Sequence, residues 1–465
     1  MLRTVLLPLL TALAVSAPPG AGSVLAQAKP APTTATAPKP WSVPYTLFTL
    51  PNGLTVILHE DHSVPVASVN VWYTVGSANE SQGRTGFAHL FEHLMFEGSG
   101  HVKEGEFDTL LEAAGADNNA STDSDVTDYF IRGPSNALDL ALFLESDRLG
   151  YLLDVVTPAM VDGQRDVVKN ERRQSYENAP YGMAEIHIPE LLYPTAHPYH
   201  WPTIGYMEDL TAASADDVKA FFRRFYTPAN AVLGIAGDFD TAALRKRIEY
   251  WFADVKPGPA ATPIAVAPVI LDSVLIGTMT DKVQLPRLYL TWPTPREYTP
   301  GDAELDVAAR ILAEGKTSRL YKRLVYDLQV AQDVRAFQAS QALGSEFRIM
   351  VTARPSSDPP QAVMDKLKAL VDEELNRLRE SPPEPREVER VVNGIASRMY
   401  TRMEGTNGQA TQLNAYYART GNPDYFAEDL ARFRALAPSD VQAAVRHWLP
   451  ANRRVEFTVL PEAAK

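Results

Sequence analysis

The sequence predicts an α+β protein of two homologous domains, each an antiparallel sheet flanked by helices. Three observations carry this expectation. A chain of 465 residues is too long for one ordinary core. A Pro-rich stretch at 256–268, "KPGPAATPIAVAP", marks a composition shift about halfway along and reads as an inter-domain linker. The flanking halves also resemble each other. "DDVKAFFRRFYTPANAVLGIAG" from Asp216 pairs with "SDVQAAVRHWLPANRRVEFTVL" from Ser439, and "VPVASVNVWYTVG" from Val64 pairs with "QLPRLYLTWPTP" from Gln284. Both pairings sit about 222 residues apart, as a duplicated domain requires.

At the start, "MLRTVLLPLLTALAVSAPPGAGSVLAQA" runs from Arg3 through an apolar stretch to Ala26-Gln27-Ala28. That order of charge, apolar core and small-residue site predicts a secretory signal peptide over 1–28, and a periplasmic or secreted protein. The apolar run is short and interrupted by Pro8, so no stable membrane anchor is expected. Residues 29–40, "KPAPTTATAPKP", form a Pro/Ala/Thr linker before a first domain at 41–255.

In the first domain, "LTVILHE", "VASVNVWYTV", "YFIRG" and "NAVLGIAG" have the period-two or continuous apolar character of strands. "GEFDTLLEAAG", "ALDLALFLESDRLGYLL", "MVDGQRDVVKNERRQSYEN" and "SADDVKAFFRRFY" have helical periodicity. Strands and helices do not alternate one for one, which favours antiparallel sheets over a doubly wound parallel one. The second domain spans 269–465.

Composition narrows the chemistry. There is no cysteine, so disulfides are excluded and a transition metal must be held by His and carboxylate. The net charge is −13 and no Lys/Arg-rich run occurs, which argues against nucleic-acid binding.

The stretch that carries chemistry is "GFAHLFEHLMFEGS", Gly86 to Ser99. On a wheel of about 100° per residue, with His89 at zero, His93 falls near 40° and Glu92 near −60°. Phe87, Ala88, Leu90, Phe91, Leu94 and Met95 occupy the opposite side. An amphipathic surface helix accounts for the apolar side, but its wet stripe would more usually hold Lys, Glu, Gln or Ser. Two imidazoles one turn apart can share one Zn²⁺, and the intervening carboxylate can take a proton from water whose pKa the metal lowers. A catalytic zinc still needs a third protein ligand.

H-x-x-E-H is the inverzincin motif, and the chain resembles the pitrilysin/insulinase family of metallopeptidases in its short bacterial form. The likeness runs from "LPNGLTVILHEDHSVPVASVNVWYTVGSANE" through "NNASTDSDVTDYF", "RDVVKNERRQSYEN" and "HPYHWPTIGYMEDL" to "YTPANAVLGIAGD" and a degenerate second half. The resemblance implies a zinc peptidase with one Zn²⁺ per chain, each pair of domains forming half of a clamshell that takes peptides or unfolded segments. It implies His89 and His93 as metal ligands, Glu92 as the catalytic base and Glu171, in "KNERR", as the third ligand. Glu177, on the same predicted helix, is the competing candidate. The family often has an assisting Glu where this chain has Gln164, which can hydrogen-bond but cannot act as a base. Asn119 and Ala120, in a run that otherwise reads as a loop, match the family's active-site edge strand, where an extended peptide pairs by β-augmentation.

The same helix recurs about 217 residues later in the second half, which puts Asp306, Ala309 and Arg310 approximately where His89, Glu92 and His93 stand, so the second domain cannot hold the metal. Family members often use an Arg/Tyr pair in that domain to bind substrate and polarise its carbonyl; the matching positions are Val325 and Gln332. The expected partners are therefore peptide substrates and a second chain carrying the pair, with a homodimer as the alternative. A non-catalytic scaffold or peptide-binding subunit of the same fold is the rival function.

Overall fold

The computed structural model describes residues 41–462, so the expected signal peptide and first linker lie outside the described residues. The described stretch is one compact unit holding two sheets. The first contains β1 (Thr46–Thr49), β2 (Thr55–Glu60), β3 (Val66–Tyr73), β4 (Asp117–Thr122), β5 (Thr127–Pro134) and β6 (Ala231–Gly237), in the order β1-β2-β6-β3-β5-β4. The second contains β7 (Leu275–Asp281), β8 (Arg287–Thr294), β9 (Ala331–Ala339), β10 (Ser345–Ala353) and β11 (Val455–Pro461), in the order β7-β11-β8-β10-β9. Matching β2 to β6 with β7 to β11 in sequence makes the two orders the same, with β1 as an addition to the first. Each sheet is antiparallel except for one pair, β2 with β6 and β7 with β11. The long helical excursions between those strands provide the crossover a parallel pair needs.

Eight helices accompany the first sheet in sequence: α1 (Phe87–Leu94), α2 (Glu106–Ala113), α3 (Leu138–Val155), α4 (Pro158–Arg172), α5 (Ala184–Leu192), α6 (Met207–Ala212), α7 (Ala215–Phe225) and α8 (Thr241–Trp251). Six accompany the second: α9 (Asp302–Ala313), α10 (Pro360–Glu380), α11 (Pro385–Arg402), α12 (Thr406–Thr420), α13 (Phe426–Arg434) and α14 (Pro438–Trp448). Residues 256–271 between the halves carry no regular element.

The period-two strands bury one or both faces as their sequences require. β6, "AVLGIAG", is buried at every residue because it lies between β2 and β3. Val56, Leu58, Val69 and Val71 meet Leu90, Phe91 and Leu94 of α1 and Leu142 and Leu149 of α3 in one core. Leu290, Trp292, Leu305 and Ile349 belong to the matching core of the second half.

Packing does not stop at the linker. α5, from the first half, lays Ala184, Ile188 and Leu192 against Tyr289, Val455, Phe457 and Val459 of the second sheet. α12, from the second half, lays Leu413 and Tyr416 against Ile57 and Val232 of the first. At the centre of that contact the Asn414 amide donates to the Asn70 side chain at 2.7 Å and its backbone carbonyl at 3.0 Å. Gly234 makes room, since a Cβ there would lie 2.4 Å from the Asn414 oxygen. Each sheet thus has one face covered by a helix from the other half.

Candidate metal centre

α1 starts where the chain turns through Gly86, whose φ of 87° lies in the left-handed region that favours glycine. The helix has no side-chain cap of its own and no acidic residue in its first turn. The half-buried Glu80 side chain supplies the cap from outside, accepting from the Gly86 amide at 2.9 Å and the Ala88 amide at 2.8 Å. This satisfies two of the orphan donors of a helix start, while burial pushes the Glu80 carboxyl up to about 8. Thr85 is pinned as well, its amide and hydroxyl both donating to Asp209.

Eight helical residues then present two faces. Phe87, Ala88, Leu90, Phe91 and Leu94 are buried, while Glu92 and His93 are half-buried and His89 is 9% exposed. The His89 and His93 rings lie 4.8 Å apart, edge to face. α4 packs alongside; its start is fixed by Thr157, which accepts from the Met160 amide, and by Pro158 in the first turn. Its last turn brings Glu171 up to the two imidazoles. Glu171 Oε2 is 3.3 Å from His93 Nε2 and 3.6 Å from His89 Nε2. Among the described residues this trio alone brings three potential ligand atoms together, all within 4.8 Å of one another.

The donor set suits zinc. Two ligand atoms bound tetrahedrally at about 2.0–2.1 Å stand about 3.4 Å apart, close to both distances to Glu171. Burial holds both imidazoles toward the neutral form that binds metal, pushing His89 down to about 4 and His93 below its ordinary value against the pull of Glu171. His89 Nδ1 is buried without a partner among the described residues, leaving Nε2 as the nitrogen that faces the other ligands. Glu177 turns elsewhere, accepting from Arg172 Nε at 3.2 Å across the single π-turn that follows α4.

Burial also raises the Glu92 carboxyl above the usual range, with Glu171 and Asp128 adding to the effect and the neighbouring Thr122 hydroxyl opposing it. A carboxylate so placed is a better proton acceptor near neutral pH than an exposed one. Gln164, two turns before Glu171, donates to Glu97 Oε1 at 2.5 Å and so stays a hydrogen-bonding group.

Asn119 and Ala120 lie on β4, which is a strand rather than a loop and forms the edge of the first sheet. Its inner side pairs with β5, Asn119 opposite Phe130 and Ala120 opposite Tyr129, and α1 packs against it. In the second half, α9 places Arg310 between Asp306 at 2.9 Å and Glu314 at 3.3 Å, and Arg398 of α11 reaches Glu314 at 2.7 Å. Ion pairs thus stand where the first half has its His/Glu group. Val325 lies in a π-turn over 321–327 and Gln332 on β9.

Sequence reasoning missed Glu80, Thr122 and Asp128. Glu80 caps a helix that begins seven residues later, outside the local S/T-x-x-E pattern. Thr122 and Asp128 meet Glu92 only because β4 and β5 pair beside α1.

The sequence profile described as "Insulinase (Peptidase family M16)" matches residues 55–196, and "Peptidase M16 inactive domain" matches 212–395. The chain is 32% identical over 348 residues to "Zinc protease PqqE" of Helicobacter pylori, covering 71% of this chain and 77% of that protein. A crystal structure of a protease from Helicobacter pylori superposes with a TM-score of 0.82 at 26% identity, covering 90% of this chain and 100% of that one. A structure of a peptidase M16 inactive domain from Pseudomonas fluorescens shares the fold at a TM-score of 0.79 and 18% identity, covering 91% and 99%.

Proposed function

The chain belongs to the insulinase family, peptidase family M16, and from that membership we propose that it is a zinc-dependent endopeptidase or oligopeptidase acting on peptides or unfolded segments. The observation that carries this reading is the convergence of His89 Nε2, His93 Nε2 and a Glu171 oxygen beside Glu92. His89, His93 and Glu171 would hold one Zn²⁺. When bound, such an ion supplies a Lewis acid that polarises a peptide carbonyl and lets water react near neutral pH.

The remaining chemistry falls to the protein. β4 offers its free edge to an extended peptide, with the Ala120 main chain and the Asn119 side chain, whose Oδ1 accepts from the Ala120 amide at 2.8 Å, setting the peptide's direction and register. Glu92, on the helix packed against β4, takes the proton of the attacking water and returns it to the amine as the peptide bond breaks. Its partly buried setting limits competing bulk water. Val325 and Gln332 offer no Arg/Tyr pair, so a second chain, a partner carrying that pair or another copy, completes the substrate site. The apolar start of the sequence supports export to the periplasm or beyond, and no helix of the described residues is long and apolar enough to cross a membrane.

The rival reading, a non-catalytic scaffold, has support in the ion pairs that fill the second half's equivalent site and in the fold shared with an inactive-domain protein. The intact first-half trio favours the peptidase. Metal analysis together with cleavage of a mixed peptide library decides between them. We expect about one zinc per chain and cleavage abolished by chelator; metal without cleavage, alone or with a partner, favours the scaffold.

A further inference from the structure

The turn joining β4 to β5 is held from both sides. On the first-half side, Ser77 N donates to Asp123 O at 3.2 Å and Ala78 N to Ser124 O at 2.8 Å. Gly76 permits this approach, since a Cβ there would lie 2.4 Å from Asp123 O. Within the turn, Asp123 Oδ1 accepts from the Asp125 and Val126 amides. On the other side Asp125, 9% exposed, meets three groups at once. Tyr199 Oη donates to it at 2.5 Å, the Ala342 amide at 2.9 Å, and Arg419 Nη2 at 3.2 Å. Tyr199 Oη in turn accepts from the Leu343 amide at 2.9 Å, and Arg419 Nε pairs with Glu297 at 3.2 Å.

Arg419 is on the last turn of α12, the second-half helix that covers the first sheet, and Ala342, Leu343 and Glu297 are second-half loops. The turn they grip begins one residue after Thr122, the neighbour of Glu92. The edge hairpin of β4 and β5 tends to fray, because its outer strand is paired on one side only. Three charge-assisted or backbone hydrogen bonds on one buried carboxylate oppose that fraying at the end nearest the base.

We propose that the ligand-free second half serves the first as a clasp, Arg419 together with the first half's own Tyr199, which the second half's Leu343 amide holds, acting through Asp125 as positioning residues that fix the register of β4 beside Glu92. The proposal rests on the reading of β4 as the peptide-binding edge. It gives the degenerate half a role in substrate alignment that needs no catalytic group of its own.

Hydrogen exchange on the zinc-loaded full chain tests it, with Arg419→Gln and Asp125→Asn. Both variants should keep wild-type zinc content. Amides over 117–127 should exchange at least about 10-fold faster while the α3 and β6 amides stay protected. KM for an extended peptide should rise several-fold with kcat within about 2-fold, a split that a general loss of stability would not give. Unchanged exchange over 117–127 overturns the clasp, and faster exchange with unchanged KM overturns its positioning role. If Arg419→Gln loosens the whole chain, Asp125→Asn, which keeps the turn's shape and an oxygen acceptor, decides by the same readouts. Should the wild-type chain cleave no peptide either alone or with a partner supplying the Arg/Tyr pair, the peptidase reading fails, and exchange alone then decides the clasp.

Discussion

At the scale of single residues, Glu171 and Glu177 are separated by six positions and by opposite engagements. Glu171 faces two imidazole nitrogens, and Glu177 faces Arg172. Glu171→Gln should therefore lower zinc affinity by well over the roughly 10- to 100-fold typical of outer-shell changes. Glu177→Gln should leave it within about 3-fold, as measured by competition with a chromogenic chelator. Acid stability of the metal follows from the same environment. Protons displace zinc by charging the imidazoles or by neutralising the Glu171 carboxylate, and burial pushes His89 down to about 4. Zinc should thus stay bound as pH falls through 6, where an exposed histidine pair would already be protonated, and be released only toward pH 4–5. Metal content after dialysis across that range checks this. His89, Glu92 and His93 stand out as candidates from helical spacing, because three polar groups on one arc leave the apolar face intact, while their roles come from the family likeness. Glu171 could not be read that way. It is one helix-surface charge among several, singled out only by family likeness and by the contact of α4 with α1.

At the scale of elements, the strongest local test is the insertion of α12 into the face of the first sheet. Asn414→Ala leaves the buried Asn70 carbonyl and side chain without their donor, which should cost about 1–3 kcal/mol in denaturant unfolding. Gly234→Ala should also destabilise, since the added Cβ meets the Asn414 side chain at 2.4 Å and displacing that amide breaks the same bonds. Most strands and helices were legible in the sequence because their burial follows period two or 3.6. β4 was not. "DNNAST" is polar on both faces and becomes a strand through its six-residue pairing with β5, a tertiary effect that local propensity cannot register. The exchange of α5 and α12 was equally hidden, since an amphipathic helix states that it must cover something but not which sheet.

At the scale of the whole molecule, the linker at 256–268 suggests two separable domains, and the packing opposes separation. A fragment ending near residue 255 would lose α12 and expose Ile57, Val232 and their neighbours, an apolar face that solution does not tolerate. Such a fragment should be aggregated or molten by near-UV circular dichroism and size-exclusion chromatography, whereas the full mature chain should be folded. The same scale governs completeness of the substrate site. With Val325 and Gln332 in place of an Arg/Tyr pair, the isolated chain should cleave slowly and accelerate when a partner supplying the pair is added; full activity in the isolated chain would contradict that dependence.

The proposed site joins a metal trio to Glu92 as the base beside it, and Glu92→Gln separates the two most directly. The substitution keeps size and hydrogen bonding but removes the base. The zinc-loaded variant, assayed with whatever partner the wild-type chain needs, should bind about one zinc per chain with wild-type affinity. Its peptide cleavage should fall by about 10²- to 10⁴-fold. Cleavage at a substantial fraction of the wild-type rate, with zinc retained, would contradict the account.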